Sequence, residues 1–117
     1  MRLRRLLTAT VAAPFFLLAI GGAAQAWECP THHAAAQAMI DKVTQDMKGE
    51  MSKQMDKGDM ALVHALLDDA KTWLASAIHN HEKPQGMYDH GRSIAKAGTA
   101  LAHATAADIY HFNLMAM

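Results

Sequence analysis

The chain has one cysteine and three prolines in 117 residues, and only 6% of its residues are aromatic. A single cysteine excludes an internal disulfide framework, and the absence of CxxCH excludes covalently attached c-type haem. There is no HExxH, no phosphate-cradling glycine-rich loop and no Ser/His/Asp set that spacing singles out, so the sequence offers no enzyme. Eleven Lys and Arg balance eleven Asp and Glu, which leaves no basic field to hold DNA or RNA. At roughly 100 to 200 residues per domain, the length allows one domain. What the chain has in excess is eight histidines and nine methionines.

The first segment is set apart from the rest. Arg2, Arg4 and Arg5 precede an apolar stretch from Val11 to Ile20, and Ala24-Gln25-Ala26 closes it. This is the pattern of a secretory signal peptide cleaved after Ala26, with a periplasmic destination. Pro14 interrupts the stretch, which is shorter than the roughly 20 residues a bilayer span wants, so no stable membrane insertion of the mature chain is expected. Trp27 and Glu28 stand before Cys29, where a lipobox would need small residues. Residues 27–117 then hold eight basic and eleven acidic residues, a net charge of −3, and keep all eight histidines and eight of the nine methionines.

No stretch of this mature part alternates with period two for more than a few residues, and Ala, Met, Leu, Lys, Gln and Asp dominate, a helix-forming composition. Breakers fall at Lys57-Gly58-Asp59, with a stop at Gly58 and a cap at Asp59, and at Glu82-Lys83-Pro84-Gln85-Gly86; Thr31 after Pro30 reads as a first cap. Three helices are expected over about 32–57, 60–82 and 88–113. Helical spacing gathers His33, Ala36, Ile40, Val43, Met47, Met51 and Gln54 on one face of the first. The second gathers Val63, Leu66, Leu67, Ala70, Leu74, Ala77, Ile78 and His81, and the third gathers His90, Ile94, Ala97, Leu101, Ala104, Asp108 and Phe112. The fold class is therefore all-α, an up-down-up antiparallel bundle of three helices that a second copy could complete to four by dimerisation.

In such a bundle, residues equidistant from a turn lie at one height. His33 and His81 flank the Gly58 turn symmetrically, and His81 and His90 flank the Pro84-Gln85-Gly86 turn, so three imidazoles should converge at one end. A histidine ending an apolar stripe is commonly a half-buried residue with its polar tip in water. Three of them together, with Cys29, His32, His79, Glu82, Met87 and Asp89 nearby as further donors, point instead to a site for Cu²⁺ or Zn²⁺. His79 lies about 200° around the helix from His81 and can share an ion with it only where the helix unwinds.

Met47, Met51 and Met55 recur every four residues and Met60 follows. Thioethers suit Cu(I), although flexible Met more commonly fills helix cores. Met60-x-x-x-His64-x-x-x-Asp68 and Asp108-x-x-His111-x-x-x-Met115 place donors on single helix faces at the opposite end, as weak second sites or solvated surface. His103 points away from its core stripe and reads as exposed.

The segments DMALVHALLDDAKTWLASAIHNH and YDHGRSIAKAGTALAHATAADIYH, with His beside Ala-Lys and Ala-Leu helical runs, resemble the small metal-binding proteins of bacterial periplasms. The resemblance covers Gly58 to His111 and implies binding of divalent metals such as copper, with a role in metal handling. This chain departs from it in lacking dense His-bearing heptads, in having far more Met and in its Cys29-Pro30-Thr31-His32-His33 start. The expectation is an exported helical metal-binding domain over 27–117. Copper is preferred because His, Met and Cys serve both oxidation states, with zinc or nickel open, and the domain would act as buffer, chaperone or resistance accessory beside a periplasmic metal-transport or efflux protein. Two rivals remain: an interaction or stress adaptor with incidental histidines, and a b-type haem carrier with His/His or His/Met ligation.

Overall fold

The computed structural model describes residues 28–116, with side chains through Leu114. The segment read as an export signal, 1–26, lies outside the described residues, as does Trp27, and so does the side chain of Met115. The described residues are helical, without strands: α1 over 28–46, a short 3-10 turn at Met51–Gln54, α2 at Lys57–Glu82 and α3 at Met87–Ala116. None of these helices is long and apolar enough to cross a membrane.

The first helix differs from its expected bounds at both ends. Pro30 and Thr31 lie within α1, so Thr31 is not its cap. Its last turn comes at Asp46, about ten residues early, and the stop is Gly49. The Asp46 carbonyl, one of the four that a helix end leaves without an intrahelical partner, accepts from Gly49 N at 3.1 Å and from Ser52 Oγ at 2.9 Å. A Cβ on Gly49 would meet that oxygen at 3.2 Å, so only glycine lets the chain fold back this closely without a shift. The methionines expected every four residues along one helix are therefore split: Met47 is half-buried, while Met51 is 62% exposed in the 3-10 turn and not in the core. Gly58 is not a stop but belongs to the first turn of α2. There its N–H donates to the side chain of Asp56, which caps the helix in place of Asp59.

The core lies along Ala36, Ile40 and Val43 of α1, Val63, Leu67, Ala70, Leu74 and Ala77 of α2, and Ala97, Ala100, Ala104 and Ala107 of α3. On α3 the buried stripe is rotated from the expected one. Ser93, Ala97, Ala100, Ala104, Ala107 and His111 face inward, whereas Phe112 is 69% exposed and Ile94, Leu101 and Asp108 flank the seam half-buried. Small side chains fill this seam, and the larger ones lie half-buried at its edges.

Cross-helix bonds set the relative order of the helices. From α1 to α3, His33 meets Ser93 and Lys42 pairs with Asp108 at 2.7 Å, so the numbers rise together. From α3 to α2, Ser93 donates to the Ala77 carbonyl and Tyr110 to Asp59, so they run oppositely. Lys96 adds donors to Ser76 at 2.7 Å and Asn80 at 2.5 Å.

Candidate metal centre

The register brings Cys29 of α1, His81 near the end of α2 and His90 near the start of α3 to one place. One ligand atom from each lies within 4.8 Å of the other two. Cys29 is fully buried; its Sγ is 3.9 Å from His90 Nδ1 and donates to the His90 carbonyl at 3.5 Å. His81 and His90 are half-buried, with ring centroids 5.6 Å apart in an edge-on arrangement. The Nδ1 of His81 is buried and has no hydrogen-bond partner among the described residues. Such an atom costs about 1 to 3 kcal/mol unless something takes its lone pair or proton. A thiol with two imidazoles around it is a donor set for a soft or borderline ion.

His33, the third imidazole expected here, is present beside His81, with centroids 5.6 Å apart and the rings at 83°. Its Nε2 is 2.7 Å from Ser93 Oγ, and its donor atoms stand outside the 4.8 Å group. Burial, followed by the neighbouring imidazoles of His81 and His32, holds its pKa below the ordinary 6.5, against a weaker opposing pull from Glu82. The unfolded chain, with the ordinary value, therefore takes up this proton first. The stabilisation from a neutral His33 is present above pH 6.5 and is lost as pH falls through the folded pKa. The melting temperature of the metal-free protein should accordingly fall between pH 7.5 and about 5.5, and His33→Gln should make that slope shallower; an unchanged slope would exclude His33 as its source.

The other sequence candidates are not in this group. His32 is half-buried beside His33. His79 is exposed, since α2 continues unbroken through it to Glu82, which is also exposed. Asp89 is committed to the turn, accepting from Gln85 N at 2.8 Å, with Arg92 3.9 Å away, and Met87 is exposed. At the opposite end His64 and Asp68 are exposed. His111 is buried, not solvated: Ser52 gives its only proton to the Asp46 carbonyl and so accepts from His111 Nε2 at 2.8 Å. Asp108 pairs with Lys42, so Asp108 and His111, the two members of that expected site whose side chains are described, are each engaged by another element. His103 is half-buried and bonds the Thr99 carbonyl at 2.8 Å.

Sequence reading began the first helix at about residue 32 and left Cys29 outside it, whereas α1 carries Cys29 into the core. The reading also missed Ser93, whose only signal was its spacing of four and seven from Ala97 and Ala100 on one helix face. No protein-family model, curated protein or solved structure matches the chain.

Proposed function

We propose that this chain is an exported up-down-up helical bundle that binds a transition metal at Cys29, His81 and His90 and serves as a periplasmic metal buffer, chaperone or resistance accessory. The observation that carries the reading is the convergence of these three donors from three helices around a buried His81 Nδ1 that has no partner among the described residues. Copper is preferred, because thiolate and imidazole together hold Cu(I) as well as Cu(II); zinc and nickel fit the same atoms less selectively. The opposite order of contacts along α2 and α3, and the matching order along α1 and α3, support the up-down-up topology. A second copy could supply a fourth helix, and a metal-transport or efflux protein is the partner such a role implies.

Metal analysis of untagged protein purified from the periplasm tests the reading, together with calorimetry at two pH values. The expected result is copper or zinc at a fixed ratio, with protons released on binding and weaker affinity at the lower pH, because thiol and imidazole must deprotonate to ligate. Protein with no metal, and no uptake on titration, would sink it.

A second reading is supported by exposed apolar side chains: Met51, Leu62, Trp73, Met87, Tyr88, Ile109 and Phe112 are all exposed. Adaptable Met and aromatic surface suits a protein-interaction or stress adaptor in which the histidines are incidental. A metal-free protein that captures a partner only while those residues are intact would favour it.

A further inference from the structure

The orientation of His33 is dictated from another helix. Ser93 Oγ lies 2.6 Å from the Ala77 carbonyl oxygen and 2.7 Å from His33 Nε2, and Ser93 and Ala77 are both fully buried. A hydroxyl has one proton and a carbonyl can only accept, so Ser93 donates to Ala77 and receives the N–H of His33 Nε2. A neutral imidazole protonated on Nε2 keeps its lone pair on Nδ1. The relay thus fixes which nitrogen of His33 is left for another electrophile, as a partner on the far nitrogen does for a metal-bound histidine.

His33 also stands edge-on to His81, centroid to centroid 5.6 Å, the same spacing that separates His81 from His90. The group of Cys29, His81 and His90 offers three donors, enough for Cu(I), whereas a tetrahedral divalent ion takes four. We infer that His33 Nδ1 is the fourth donor, closing onto the group when a divalent ion enters, and that Ser93 is a positioning residue acting through His33. The same site would then hold monovalent copper with three protein ligands and a divalent ion with one sulfur and three nitrogens. This rests on the metal reading of Cys29, His81 and His90, and it adds the residue that decides between the two classes of cargo.

The test uses the full chain with Co(II) as an optical probe and Cu(I) measured by competition with a chromophoric chelator. Glutamine at 33 can place an amide N–H against Ser93 but has no ring nitrogen for an ion. His33→Gln should lower Co(II) affinity at least about tenfold and dim the d–d absorption of four-coordinate Co(II), while Cu(I) affinity stays within about threefold. Ser93→Ala should lower Co(II) affinity by about tenfold in the wild-type background and hardly further in the His33→Gln background, since it acts only through that ring. Co(II) affinity and spectrum unchanged in His33→Gln, with the Cys29 thiolate-to-Co(II) charge-transfer band present, would overturn the fourth-donor assignment and leave the three-donor site standing. A wild-type chain showing neither that band nor Cu(I) binding would overturn both.

Discussion

Alanine at both His81 and His90 is expected to lower Cu(II) or Zn(II) affinity at least about tenfold while the helices stay folded. Each substitution removes a donor from a group whose ligand atoms lie within 4.8 Å of one another, and Cys29 with His33 cannot make up four donors without them. Neither ring belongs to the buried apolar clusters, and the His81 change removes a buried nitrogen that has no partner among the described residues. The unfolding midpoint of the metal-free double variant should therefore match that of the wild type or exceed it slightly. The control is Met47→Leu with Met51→Leu. Met47 packs at the edge of the core and Met51 is exposed, and such volume-conserving swaps cost less than about 1.5 kcal/mol each, so divalent affinity and fold should both persist. Binding lost with the methionine pair but kept with the histidine pair would replace this centre by a Cu(I) thioether site. Binding insensitive to both pairs would favour the interaction adaptor.

The second large effect lies in the core. Leu74 is buried with Ile40 among Ala36, Ala70, Ala100 and Ala104. Leu74→Ala opens a cavity that four alanines cannot reach into, so its cost should fall toward the upper end of the usual range of about 2 to 5 kcal/mol. In a domain of this size that lowers the melting temperature by more than about 10 °C. Leu62→Ala, on the exposed face of the same helix, should stay within about 0.5 kcal/mol of wild type. Equal losses at the two positions, measured by chemical denaturation, would contradict this division of α2 into a buried and an exposed face.

The three helices were legible because Pro84 and Gly86 punctuate the chain where α2 gives way to α3, and because Val63, Leu67, Ala70, Leu74 and Ala77 repeat cleanly at helical spacing. The meeting of His33, His81 and His90 was legible from symmetry about the turns. That symmetry survived the wrong choice of first turn: α1 ends at Asp46 and not near Gly58, but the intervening 3-10 turn shifts the pairing little. The stop itself was hidden, since Met47 to Met55 is rich in helix formers and the decisive groups are a hydroxyl and an N–H finding one carbonyl. The α3 stripe was misjudged for a related reason. In a helix dominated by alanine, hydropathy barely separates one face from the next, so spacing does not single out the buried one. Ser93 and Ser52 were missed because each bonds a histidine about 60 positions away, which local spacing does not show.

The alanine seam of α3 also has a calorimetric consequence. Ala97, Ala100, Ala104 and Ala107 are buried to the last few square ångströms, yet each brings only one methyl group out of water on folding. Alanine gives up no rotamer freedom when it is buried, so the seam opposes folding little through side-chain entropy. It likewise releases little apolar hydration, and the heat-capacity change of unfolding scales with newly exposed apolar area. Unfolding should therefore show a heat-capacity increment below the usual 12 to 15 cal/mol/K per residue, a broad thermal transition and a stability curve that is shallow on both sides of its maximum. A protein so built holds its fold across a wide span of temperature with a modest margin at every point.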